Sequence, residues 1–150
     1  MIVRVFNTLR FFSILFLLVV LMYVYANLSD VIGLESDESG KPVGLVSKNV
    51  FFYGTLFFLT LTNGIFLLLI RLYNRVRSLN EKYKQALLIW LNGLMGTLNF
   101  FFALALIFIS AFNSLEKLDL ENFGITVLAS GGLVITWILG FSYVLMQRGK

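Results

Sequence analysis

Charged residues punctuate long apolar runs in this chain, and the distances between them measure each run. Between Arg10 and Asp30 lie 19 uncharged positions, which as a helix reach roughly 28 Å, the thickness of one bilayer core. Lys48 and Arg71 enclose 22 such positions, Lys84 and Glu116 enclose 31, and Glu121 and Arg148 enclose 26. Each run is long enough to cross a membrane. Four transmembrane helices are predicted, over about residues 6–28, 49–71, 86–113 and 122–146. They make one domain over residues 1–150, an all-α membrane protein built as an antiparallel up-down bundle. A β-barrel would need alternating segments of about ten residues, whereas Phe11 to Ala26 is apolar almost without a break. The third run exceeds one crossing, so its helix tilts or its end near Asn113 and Ser114 projects into the interface.

Composition agrees with the pattern: 59% of residues are hydrophobic and 13% charged, and the mean hydropathy is +0.88. A soluble domain needs far less apolar material to build one core. The net charge of +4 does not point to nucleic acid, because the cations sit in short segments between apolar runs. Their distribution instead sets orientation, since cytoplasmic segments retain Lys and Arg. Arg4 and Arg10 precede the first run and Arg148 and Lys150 follow the last, in both cases without an acid. The second loop carries Arg71, Arg75, Arg77, Lys82 and Lys84 against Glu81 alone. The first and third loops are net negative, through Asp30, Glu35, Asp37 and Glu38 against Lys41 and Lys48, and through Glu116, Asp119 and Glu121 against Lys117. Both termini are therefore expected in the cytoplasm, as in a multi-pass protein of a bacterial cytoplasmic membrane. Tyr23, Tyr25 and Tyr53 would mark the outer interface, and Trp90 and Tyr143 the inner one. Val24-Tyr25-Ala26 superficially suggests a signal cleavage site, but the preceding run is longer than a signal core and large residues crowd the site. An uncleaved helix is expected.

The chain has no Cys and no His, which removes the commonest nucleophile, general base and metal ligands. No charge falls within the four uncharged runs, whereas ion-coupled transporters place one at membrane depth. A proton-coupled multidrug exporter of this size is disfavoured on that ground. What remains at depth is neutral: Asn63 beside Gly64, then Asn92, Gly96, Asn99 and Ala103, then Ala129, Gly132, Thr136 and Gly140. Spacings of three and four place each of the last two sets on one helix face. Small residues let helices approach and asparagines hydrogen-bond between them, so these faces are expected to pack, with a ligand or lipid cavity as the alternative. Asn63 and Asn92 each lie eight residues from a flanking cation, Arg71 and Lys84, and are expected to touch. The first helix has no glycine and is expected to face lipid or a partner. The five cations of residues 71–84 could engage lipid headgroups. Glu35 to Val46 mimics the opening of a calcium loop but places Val46 where a bidentate acid is required. No metal, cofactor or paired catalytic constellation is expected.

The first outer loop reads Gly40-Lys41-Pro42-Val43-Gly44-Leu45-Val46-Ser47-Lys48. Pro fixes φ and Gly permits positive φ, so a compact hairpin between helices is expected. Gly40, Pro42, Gly44, Ser47 and Lys48 resemble the signature loop of the small membrane domain of unknown function found at the N-terminus of SdpI-type immunity proteins. The resemblance covers about residues 10–70; the His and Asn that usually precede the pattern are replaced by Glu35 and Asp37. It implies a role in immunity to a secreted toxin, or in holding a transcriptional repressor at the membrane; the non-enzymatic expectation comes from the missing catalytic groups. From the residues alone, the expectation is an interaction protein: an accessory subunit or sensing factor with a membrane-protein partner, or a homo-oligomer. A small carrier or channel for a lipid or neutral solute is the alternative.

Overall fold

The computed structural model describes residues 2–36, 42–76, 80–113 and 120–147. It is mostly helical, and four helices are long and apolar enough to cross a membrane. In chain order the elements are α1 (Ile2–Asn27), β1 (Val31–Ser36), β2 (Pro42–Ser47), α2 (Lys48–Arg75), α3 (Glu81–Asn113), α4 (Leu120–Leu139) and α5 (Phe141–Met146). The expectation of an all-α chain is corrected by β1 and β2, which pair antiparallel with Ile32 opposite Val46 and Gly33 opposite Leu45. The β-branched side chains of Val31, Ile32, Val43 and Val46 favour this extended pairing. The ribbon is anchored because Ile32, fully buried, enters the apolar cluster of Leu28, Phe52 and Leu59.

The helices also begin and end differently from the charge-to-charge estimate. α1 starts at Ile2, so Arg10 lies two turns inside it. α2 runs on to Arg75 and α3 begins at Glu81, where the Asn80 side chain accepts from the Lys82 amide and caps the first turn. The predicted fourth helix is divided at Gly140 into α4 and α5.

α3 is the central helix. With 33 residues it measures about 50 Å, longer than a bilayer core. α1 and α4 pack most extensively against it, while α2 meets it over a shorter stretch. α1 thus packs on α3 along one side, while Val5, Phe12, Val19 and Tyr23 lie on the outward apolar face expected of it. Leu17, Val20, Leu21 and Val24 form its buried stripe, at helical spacing, and aliphatic side chains give close packing without glycine.

Candidate functional site

Five polar side chains pair in the interior between α1, α2 and α3, three of them at one point and two at another. Asn99 is 1% exposed and donates from Nδ2 to Asn63 Oδ1 at 3.0 Å and to Ser13 Oγ at 3.1 Å. Ser13 in turn donates to the Arg10 carbonyl, and Asn63 to the Leu59 carbonyl. Two turns along α3, Asn92 Oδ1 accepts from Arg10 Nη1 at 2.9 Å while its Nδ2 donates to the Leu88 carbonyl. Among the described residues no buried side-chain nitrogen or oxygen lacks a hydrogen-bond partner.

The expected contact of Asn63 with Asn92 is thus corrected: Asn63 meets Asn99, seven residues further along α3. Two features account for the shift of about 10 Å. Counting inward from Arg71 and Lys84 assumes that both helices leave the membrane at those residues, whereas α2 continues to Arg75 and Lys84 lies within α3. In addition, Asn92 is taken by Arg10, whose guanidinium needs an acceptor when half-buried. Arg10 and Ser13 belong to the network although neither was expected. Their signal in the sequence is a three-residue spacing that puts both on one face of α1.

A second junction joins α3 to α4 and α5. Trp90 Nε1 donates to the Trp137 carbonyl, and Trp137 Nε1 to the Trp90 carbonyl, each at 2.8 Å. The Trp137 carbonyl is the group that would accept from Phe141 in an unbroken helix, so the Trp90 indole enters the backbone ladder where the helix breaks. Gly140 still donates its amide to the Thr136 carbonyl as in an α-helix, whereas its own carbonyl accepts from the Tyr143 amide only three residues on. Trp90 also packs on Phe141, with ring centroids 4.6 Å apart. The Trp137 ring lies directly over Gly93, so closely that a β-carbon there would overlap it. Gly93, rather than Gly96, is therefore the close-approach residue: a β-carbon at Gly96 would meet nothing within 4 Å.

The same packing corrects the expected face of α4. Gly132 and Thr136 are exposed, as are Ala129 and Gly140, and Thr136 spends its hydroxyl on the Gly132 carbonyl. The buried face carries Ser130 and Val134, and Trp137 lies half-buried between them and α5. Trp137 sets this rotation because its indole needs both the space above Gly93 and an acceptor.

The loop motif mounts the ribbon on the helix ends. Gly44 adopts φ 66, a left-handed conformation that favours glycine, and lies between the paired residues Val43 and Leu45. Ser47 caps α2, its hydroxyl accepting from the Val50 amide at 3.4 Å. The Lys48 amide donates to the Asp30 carbonyl and its ammonium to the Leu28 carbonyl at 2.8 Å, while also lying 4.8 Å from the Tyr25 ring centroid. These contacts tie the end of α1 to the start of α2. Pro42 opens β2, and Gly40 lies outside the described residues. From the far end of α3, Asn113 donates to the Gly33 carbonyl at 3.0 Å and accepts from its amide at 2.7 Å, so a side-chain amide extends the ladder of β1.

Asn113→Ala is expected to leave the buried Gly33 amide and carbonyl without those partners, costing about 1–3 kcal/mol locally. Amide exchange over residues 31–36 and 42–47 should accelerate roughly tenfold or more. Exchange as slow as in the native chain would show that Asn113 does not hold the ribbon.

Of the expected headgroup cations, Arg71, Arg75 and Lys82 are exposed, Lys84 turns its ammonium to the Val76 carbonyl at 3.3 Å, and Arg77 lies outside the described residues. No protein family matches the chain, and no curated protein or solved structure does either.

Proposed function

We propose that this chain is a non-enzymatic, multi-pass protein of a bacterial cytoplasmic membrane that acts by contact with another membrane protein or a second copy of itself, through the β1–β2 ribbon. The observation that carries this reading is a ribbon fastened at Asn113, Lys48 and Ser47 that nevertheless turns Val31, Leu34 and Leu45 outward, 53%, 48% and 67% exposed. A fixed apolar surface loses little conformational entropy on binding. The resemblance to SdpI-type domains lies in this same element and favours an immunity or sensing role over that of a generic subunit. The carrier reading draws less support, because Asn63, Asn99 and Ser13 spend their groups on one another.

The proposed topology is up-down with both termini inside. The contacts Tyr25–Asn49 and Ser13–Asn99–Asn63 support antiparallel α1 and α2, and the charge distribution supports the sidedness. Because the chain lacks Cys, Val43→Cys and Gln147→Cys report directly: an impermeant maleimide applied to intact cells should label the first and not the second. The reverse pattern would overturn the orientation.

The contact reading is tested by purifying the tagged chain in mild detergent beside a Leu34→Asn/Leu45→Asn variant. The native chain should hold a partner or second copy at fixed stoichiometry, and the variant should release it. Retention of that partner by the variant, or turnover of a substrate by the purified chain alone, would refute the proposal.

A further inference from the structure

The break at Gly140 opens a groove of about 580 Å³ between the first turns of α3 and the α4–α5 junction. Its floor is apolar and aromatic, with Ile89, Trp90, Trp137 and the backbone of Gly140, and Thr136 stands at its edge. At its mouth stands Lys82, exposed and paired with no carboxylate among the described residues. The Gln85 amide and the Tyr143 hydroxyl border it, neither bonded to another described residue. Cation, neutral donors and apolar floor occur in the order of a phospholipid's phosphate, glycerol and acyl chain. Indole and phenol rings mark the depth where headgroup meets hydrocarbon.

We propose that this groove seats one anionic phospholipid of the adjoining leaflet, its phosphodiester on Lys82 and the start of an acyl chain against Trp90 and Trp137. The proposal rests on the membrane-spanning character of the chain and not on the role of the ribbon. It narrows the basic loop to one cation: Lys84 is committed to the Val76 carbonyl, and Arg71 and Arg75 do not line the groove.

The site carries its own probe, since the two Trp residues of the chain both line it. The full chain is reconstituted in vesicles of dioleoylphosphatidylcholine containing a small fraction of chain-brominated phosphatidylglycerol or, separately, of chain-brominated phosphatidylcholine, and tryptophan quenching is read against that fraction. Relative affinity should favour the anionic lipid roughly fivefold. Lys82→Gln should abolish the preference, and Lys84→Gln should retain it. Thr136→Phe, which occupies the groove edge without altering charge, should also abolish it; a diffuse attraction of the basic loop would survive that change. Equal quenching by the two lipids in the native chain, or a preference that persists in Lys82→Gln or Thr136→Phe, would overturn the site. Absence of quenching by either lipid would overturn the membrane placement along with it.

Discussion

Gly93→Leu is expected to force α4 away from α3 and lower stability by about 3–5 kcal/mol. Even the first carbon of the new side chain overlaps the Trp137 ring, and the ring cannot yield freely. Its Nε1 is bonded to the Trp90 carbonyl, and its own carbonyl receives the Trp90 indole. Moving Trp137 therefore breaks two part-buried hydrogen bonds at once. It also disturbs the contact of Trp90 with Phe141, and hence the seat of α5. Gly93→Ala should follow the same course at smaller cost. Equilibrium unfolding in detergent, followed by tryptophan emission, reads both the stability and the environment of the pair. The control is Gly96→Ala, where a β-carbon meets no atom within 4 Å; equal stability of the Gly93 and Gly96 variants would refute the clasp.

The four long helices were legible in the sequence because lipid imposes a length on apolar runs and charges mark their limits. The limits themselves were less legible. Arg10 bounds the first uncharged run, and α1 begins at Ile2, about four residues before the expected start, with Arg10 used internally. A long, flexible arginine can keep its stem in apolar surroundings while its head finds a polar acceptor, so a charge sets no sharp helix end. On α3, spacing puts Asn92, Gly96, Asn99 and Ala103 on one face, of which Asn92, Asn99 and Ala103 are buried and Gly96 half-buried. The partners were not legible, because they depend on the relative shift of α2 and α3. On α4, the small-residue face misled: the packing is fixed by one large side chain, Trp137, fitting one absent side chain at Gly93. That complementarity lies 44 positions apart in the chain and carries no local periodicity. The ribbon was legible as a compact hairpin from Gly44 and Pro42, but not as paired strands. Short strands of this kind are marginal alone, and here Ile32 in the core and Asn113 on β1 supply the support.

Asn99→Leu is the second substitution expected to have a large effect, lowering stability by about 2–4 kcal/mol. It removes donors to both Asn63 and Ser13 and leaves the Asn63 oxygen, in a residue only 9% exposed, without that partner. Asn92→Leu should cost less, about 1 kcal/mol, although Asn92 is equally buried. Its partner Arg10 is half-exposed and long enough to turn its guanidinium toward the interface. The two variants thus separate burial of the substituted residue from the fate of the group it abandons. Asn63→Leu combined with Asn99→Leu should cost less than the sum of the single changes, since Asn63→Leu removes the oxygen that Asn99→Leu alone would strand. Strict additivity would show that the Asn63–Asn99 bond contributes nothing. The same variants address the carrier alternative. In a protein where these asparagines serve the fold, Asn99→Leu weakens the bundle and spares no separate transport function. If Asn99→Leu instead kept native stability and lost the flux of a neutral solute across reconstituted vesicles, the polar group at the centre of the bundle would be a passage rather than a clasp.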